Sequence, residues 1–428
     1  MQLLPTTKHF KTVSELIKAL SESDDNFRLP YERTDVNDSF FKPENDTFEV
    51  LINKKKEKIL IPDSRQYPFL YRGQQTEFIP CLPTIYRGNP SDLQIFIERL
   101  RQIEFKKLLD QHPVVKGFFK RHNFRIDSIG LAQHYGLKTD ILDLTNDLEI
   151  ALFFALCPYC KENDYYKPIS KGGSQTAILY VVIPSIIDFK TQTYFEDKIS
   201  VIGLQPFARP GIQKGFCIHL KKEECFNAYK FTFNYTKSDS EYFYEKFEQG
   251  KKLWVKDILA EKAKIIASQT AFSMSTFKQT YEDYSIKGVS KNKLKKLLLE
   301  SGISISTHTD VVRFSDCELR EIVNKWNNEQ INTSIHQIRR KFWQEKIEDK
   351  AGKRHEFRTL EMLRHAELLR LVGNRSGIEE DLNQENKNTS SSNHSSNKWS
   401  TGWQKVPGHF ELIKSETFLE KKDCVVEL

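Results

Sequence analysis

The sequence predicts an α+β fold: a mixed sheet flanked by helices, followed by an all-helical C-terminal region and a flexible tail. Three observations lead there. Thr176–Ile183 reads Thr-Ala-Ile-Leu-Tyr-Val-Val-Ile, nearly all apolar or β-branched, the pattern of a strand covered on both faces. Leu93–Leu109 places Ile95, Phe96, Leu100, Ile103, Phe105 and Leu108 at helical spacing, as an amphipathic helix requires. After residue 240 strand patterns give way to helical ones.

The elements follow in order. Val13, Leu16, Ile17 and Leu20 mark a helix over 12–21, with Thr12 or Ser14 at its cap. Residues 22–45 are polar and read as a loop, and 49–61 as a hairpin around Lys54-Lys55-Lys56. Phe69–Arg72 is a short strand ending at Gly73. Helices are expected over 126–135 and over 149–156, the second ended by Pro158. Residues 215–220 and 228–233 read as strands. Helices are expected over 258–271, 291–300, 316–327, 335–350 and 358–372. Residues 383–397 contain no apolar side chain and read as a linker, and 399–428 as a short tail. The resulting units are an N-terminal helix with a variable insertion (1–68), a core (69–285), a helical region (286–378) and a linker with tail (379–428).

Hydrophobic residues make up 39% of the 428, enough for a sizeable core. Lys and Arg number 65 against 58 Asp and Glu, a net charge of +7, which permits a polyanionic partner without requiring one. The first ten residues lack the apolar run of a signal peptide. The longest apolar stretch, Ile150–Cys157, is too short for a bilayer. A cytoplasmic protein without membrane contact is therefore expected. Seven scattered cysteines, an odd number, argue against a disulfide framework.

Familiar phosphate-binding and hydrolase signatures are absent from the chain. Cys157-Pro158-Tyr159-Cys160 resembles the redox centre of glutaredoxins, but it follows a helix, where the dipole has the wrong sign to favour a thiolate. A zinc site would need two further ligands from Cys217, His219 or Cys225, at a spacing that matches no common pattern. A loop at a helix end is expected there, and no metal ligands are assigned.

Two polar motifs remain. In Tyr71-Arg72-Gly73-Gln74 the glycine permits close approach to the backbone, and Arg72 offers a planar fork to phosphate or carboxylate. An Arg tying down a loop is the other reading. The block Gly130–Asp147 concentrates Gln133, His134, Tyr135, Thr139, Asp143 and Thr145 between two apolar segments. Such polar groups must bond to one another or to a ligand. His134 suits a general base and Asp143 its orienting partner or a ribose-hydroxyl acceptor. A structural network fixing a turn is equally compatible.

Taken together, Tyr71-Arg72-Gly73-Gln74, Pro83-Thr84-Ile85-Tyr86-Arg87, Gln133–Thr145 and Ala151-Leu152-Phe153-Phe154-Ala155 resemble the FRG domain, a family named for its Phe/Tyr-Arg-Gly motif. The resemblance covers about residues 12–285. It extends to Arg209 and Gln213-Lys214-Gly215-Phe216. Lys138, Asp140 and Leu144 depart from the usual Pro, Arg and Trp of the central block. An Asp at 140 would repel an anion that the usual Arg binds, and Lys138 would have to supply the charge instead.

The layout of the family is similar to that of ADP-ribosyltransferases, an analogy of fold. It implies NAD as substrate and Arg72, Tyr135 and Gln213 as counterparts of that site. Gly215 falls where a Glu usually polarises the ribose, which leaves His134 or Asp143 to substitute. The implied site comprises His134, Tyr135, Asp143 and Gln213 as catalytic residues. Arg72, Gly73, Gln74, Arg87, Gln133, Thr139, Thr145 and Arg209 are the ligand-binding ones. The implied function is a bacterial cytosolic effector, of toxin or phage-defence type. A non-enzymatic recognition module for nucleic acid or a nucleotide is the alternative. From Arg339 to Arg375, 11 Lys or Arg stand against 6 Asp or Glu, with Phe342, Trp343 and Phe357 interleaved, which suits phosphate contact and base stacking. A helical bundle with a basic wet face, or a protein partner, fits the same residues.

Overall fold

The computed structural model describes residues 7–21, 48–52, 57–62, 69–121, 123, 125–160, 164–170, 172–182, 187–188, 193–194, 199–203, 207–224, 226, 228–309, 311–326, 343–345 and 412–414. Seven strands form one mixed sheet: β1 (Thr7–Phe10), β2 (Leu70–Gln74), β3 (Ile141–Thr145), β4 (Gln175–Val182), β5 (Ile199–Val201), β6 (Gly215–His219) and β7 (Tyr229–Tyr235). Their order is β1-β7-β4-β2-β3-β6-β5. The edge pair β1–β7 is parallel and the remaining pairs are antiparallel. Strands β2 and β3 meet at one register pair, Tyr71 with Thr145. Beyond it the backbone ladder lapses, and side chains take over the join.

The helices are α1 (13–21), α2 (Asp92–Leu109), α3 (Ser128–His134), α4 (Leu148–Leu156), α5 (Ala208–Ile212), α6 (Lys237–Lys246), α7 (Ile258–Ser268), α8 (Met274–Tyr284), α9 (Lys291–Glu300) and α10 (Asp316–Lys325). The long helix α2 begins with a capping box, in which Ser91 accepts from the Gln94 amide and Gln94 reaches back to the Ser91 N–H. One core cluster gathers Leu16, Leu20, Leu152, Phe153, Leu179, Val181, Phe231 and Phe233. A second joins Phe105 and Leu108 of α2 to Leu131, Ile141, Cys217, Leu259 and Ala263. Leu294 and Leu298 of α9 pack on Phe96, Leu100 and Phe277. Helix α9 thus shares a core with α2 and α8, while Leu319 and Ile322 of α10 pack on the second cluster.

The expected strand over 176–183 is β4, and its last six residues are all buried. The expected hairpin forms as Phe48–Ile52 against Lys58–Pro62. In a second sheet, of four strands, it is joined by Leu412–Lys414 and Trp343–Glu345. Residues 343–345 are therefore strand where a helix over 335–350 was expected. The rest of that segment lies outside the described residues. So do the loop over 22–45, the helix over 358–372, the linker over 383–397, and the basic stretch 339–375 and tail 399–428 apart from 343–345 and 412–414. Among the described residues no helix is long and apolar enough to cross a membrane.

His112, after α2, sits edge-on to Phe207 and Phe314 at centroid distances of 5.1 and 5.7 Å. Its Nδ1 has no hydrogen-bond partner, and burial pushes its pKa down to about 3. The native state therefore binds this proton more weakly than the unfolded chain does. The contribution of neutral His112 is complete above pH 6.5 and is lost as pH falls toward 3, at up to about 1.4 kcal/mol per pH unit. Urea unfolding between pH 7 and 4.5 should show this slope, and His112→Leu should flatten it. An equally steep loss in the variant would refute the assignment.

Candidate functional site

The two motifs meet at the join between β2 and β3. Gly73 brings them together. A Cβ at that position would lie 1.9 Å from the Ala151 carbonyl oxygen and 2.9 Å from the Ala155 Cβ. The close approach expected at this glycine is therefore made by helix α4, which belongs to the Ala-Leu-Phe-Phe-Ala motif. Helix α4 is held at its start by Asp147, whose Oδ1 accepts from the Glu149 and Ile150 amides.

With α4 seated on β2, the Arg72 side chain crosses the lapse in the ladder. Its Nη1 donates to the Asp143 carbonyl at 2.9 Å. With the Gln74 amide turned so that its oxygen faces Arg72, that oxygen accepts from Nε and Nη2 at 3.2 and 3.3 Å. A guanidinium has five N–H groups, so donors remain for an anion. Arg87 stands nearby. Its Nε donates to the Leu82 carbonyl, and its exposed guanidinium lies 5.8 Å from the Phe78 ring centroid. Partial desolvation and, after it, the like charge of Arg72 lower its pKa.

Asp143 is the hub. Its backbone oxygen takes the Arg72 bond, and its Oδ2 accepts from Gln133 Nε2 at 3.1 Å. The Gln133 oxygen is held in turn by the hydroxyls of Thr139 and Thr84, at 2.7 and 3.2 Å. Thr84 also accepts from the Thr139 amide. Thr84 was quoted within its motif but not singled out as a site residue. Its role depends on a partner 55 residues away, which no local pattern shows.

Asp143 Oδ1 faces His134 Nε2 at 3.6 Å, with the His134 side chain only 3% exposed. Neither atom has a hydrogen-bond partner. The other ring nitrogen, Nδ1, lies 2.9 Å from Gln213 Oε1. The Gln213 amide is oriented because its Nε2 donates to the Leu253 carbonyl at 2.8 Å. Gln213 Oε1 is therefore an acceptor, and His134 Nδ1 carries a proton. The other ring nitrogen, Nε2, is directed at the carboxylate. This is the geometry of a base with an orienting group behind it and a carboxylate in front. Gly215 makes room for the ring, since a Cβ there would lie 2.7 Å from His134 Cε1. The imidazole thus fills the space beside Gly215. Thr145, at the end of β3, donates to the Gln213 carbonyl at 2.8 Å and ties that turn to the strand.

Two expected site residues face elsewhere. The Tyr135 hydroxyl donates to Asp257 Oδ2 at 2.7 Å, and its ring packs on Phe105 and Phe207. Burial, reinforced by the negative Asp257, holds its pKa well above the usual value. Arg209 is 3% exposed. Its Nε and Nη2 donate to the Val255 carbonyl and its Nη1 to the His134 carbonyl. Its guanidinium stacks on Trp254 and Tyr135 at 4.3 and 4.9 Å. Arg209 thus braces the end of α3 that carries His134 from a buried position.

The departures from the family pattern also have partners. Asp140 pairs with Arg99 of α2 at 2.9 Å. Arg99 also bonds Gln102 and lies over the Tyr284 ring. Asp140 is thereby neutralised rather than aimed at an anion. Lys138 is 60% exposed and pairs with Glu98, so it brings no charge to Arg72. Cys157 is buried against the Ser240 carbonyl, and desolvation pushes its thiol up to about 12. Among the described residues the cluster of metal-ligating side chains does not include Cys157; Cys225 lies outside them.

Residues 67–164 match the model of the FRG domain. No curated protein and no solved structure matches the chain.

Proposed function

We propose, from the premise that this chain carries an FRG domain, that its Arg72–Asp143–His134 group binds NAD and consumes it by ADP-ribosyltransferase-like chemistry. The observation that carries the reading is one residue, Asp143. It joins a cation suited to phosphate, through its backbone, to an imidazole base, through its carboxylate. An NAD diphosphate would accept from Arg72 and Arg87. The glycosidic C–N bond breaks, and its electron pair leaves with nicotinamide. The Asp143 carboxylate stabilises the positive charge that develops on the ribose. An acceptor oxygen or nitrogen then bonds to the ribose carbon, and His134 Nε2 takes its proton. Gln133, Gln213 and Thr139 hold the two reacting side chains in place. In this reading the protein is a bacterial cytosolic effector of toxin or phage-defence type, since unchecked loss of NAD stops growth.

Calorimetric titration tests the binding half of the proposal. ADP-ribose should bind and adenosine should not. Arg72→Ala should weaken ADP-ribose at least about tenfold, the equivalent of one charge-assisted hydrogen bond. Equal binding of both ligands, or no effect of Arg72→Ala, would remove the phosphate role of the arginine.

A further inference from the structure

We infer that Asp127, Cys217 and His219 form a binding site for a transition metal ion of the zinc class. Cys217 and His219 are two apart on β6, so both side chains leave the same face of the strand. Asp127 is the N-cap of α3, which crosses that face. Its Oδ1 accepts from the Gly130 amide at 2.8 Å and caps the helix, which leaves Oδ2 turned toward the strand. The three donor atoms form a triangle. His219 Nε2 is 3.2 Å from Asp127 Oδ2, and Cys217 Sγ is 3.9 Å from that oxygen and 4.0 Å from that nitrogen. A triangle with these edges has a circumscribed radius of about 2.2 Å, and zinc bonds N, O and S at roughly 2.0–2.3 Å. An ion is therefore accommodated with ligand shifts of a few tenths of an ångström, roughly what tetrahedral zinc geometry asks of these edges.

The donor chemistry agrees. One sulfur, one imidazole and one carboxylate suit zinc, and neither calcium nor magnesium takes such a set. Cys217 is wholly buried, while the His219 side chain is 24% and that of Asp127 10% exposed. Water would supply the fourth position. The nearby charges are Arg125, which is positive, and Asp140 and Asp143, which are negative. A bound ion would pin the start of α3 to β6. The other end of α3 carries Gln133 and His134, so the ion would brace the helix that presents them. The inference stands apart from the NAD reading.

The test uses the full chain, reduced and stripped with a chelator, then titrated with Zn²⁺ against a chromophoric competitor and separately with Co²⁺. One equivalent of Zn²⁺ is expected per chain, and Co²⁺ should show a thiolate charge-transfer band in the near ultraviolet. Cys217→Ser should abolish that band. Asp127→Asn keeps an oxygen for the Gly130 amide, so the helix cap survives, yet it should weaken Zn²⁺ at least about tenfold. His219→Gln should do the same and replaces Cys217→Ser should that variant fail to fold. Absence of stoichiometric Zn²⁺ binding, or equal affinity in wild type, Asp127→Asn and His219→Gln, would overturn the site and leave a plain Asp127–His219 hydrogen bond beside a thiol.

Discussion

Gly73→Ala is expected to destabilise the protein by about 3 kcal/mol or more, at the upper end of what an overpacked core costs. The methyl group would meet the Ala151 carbonyl oxygen at 1.9 Å, well inside contact distance, and that oxygen is part of a helix backbone that cannot turn aside. Helix α4 is buried along most of its length, with Ala151, Leu152, Phe153 and Ala155 at 1% exposure or less. It therefore has no slack, and strand and helix must separate together. The urea midpoint should fall without a matching change in slope. A variant with wild-type stability would mean that α4 does not sit on β2 as described. The glycine of the Tyr-Arg-Gly motif is thus explained by packing against a second motif.

Arg209→Ala is expected to cost about 3 kcal/mol as well, by a different route. Removing the guanidinium strips the Val255 and His134 carbonyls of buried donors, each worth roughly 1–3 kcal/mol when left unpaired. It also removes the stacking on Trp254 and Tyr135. Lysine at 209 should rescue little, because a single ammonium cannot reproduce a planar fork that bonds two carbonyls and stacks between rings. Urea unfolding of the two variants separates the accounts: full rescue by lysine would show that charge alone is what matters at 209.

Several elements were legible in the sequence because their apolar residues repeat at the spacing of the element they form. The long helix α2, the doubly covered strand β4 and helix α9 belong to this group. Strand β3 was not legible. Its residues Asp143 and Thr145 face the site and carry polar groups where a strand ordinarily shows apolar ones, so Ile141–Thr145 read as part of a polar block. Helix α6 buries only Ser240 and Phe243 and has little apolar stripe. Its available signal was the capping box of Thr236 and Asp239. Helix α8 hid for a related reason, since two of its buried residues are Thr276 and Thr280.

The site divided in the same way. Arg72, Gln133, His134, Asp143 and Gln213 stood in motifs whose order marked them, and the structure brings all five together: Arg72, Asp143 and Gln133 are hydrogen-bonded in one group and His134 and Gln213 in another, with His134 Nε2 3.6 Å from Asp143 Oδ1. What the motifs could not convey was direction. Tyr135 adjoins His134 in sequence but points into the core, as successive residues at a helix end diverge. Asp140 reads as an anion repeller in the sequence, but in the fold it pairs with Arg99, 41 residues earlier. The Asp127–Cys217–His219 cluster joins residues 90 or more apart in sequence through one helix cap.

The central claim is that Asp143 and His134 act on NAD held by Arg72. It is tested most directly by following nicotinamide release from NAD by the full chain, with bacterial lysate present as a source of acceptors. Arg72→Ala, His134→Gln and Asp143→Asn are measured beside it, each first shown to unfold like wild type. Wild type should release nicotinamide, and His134→Gln and Asp143→Asn should each lose about a hundredfold or more in rate, as expected for removing a proton acceptor or a charge stabiliser. No release by wild type under these conditions, or equal release by folded His134→Gln and Asp143→Asn, would contradict the account.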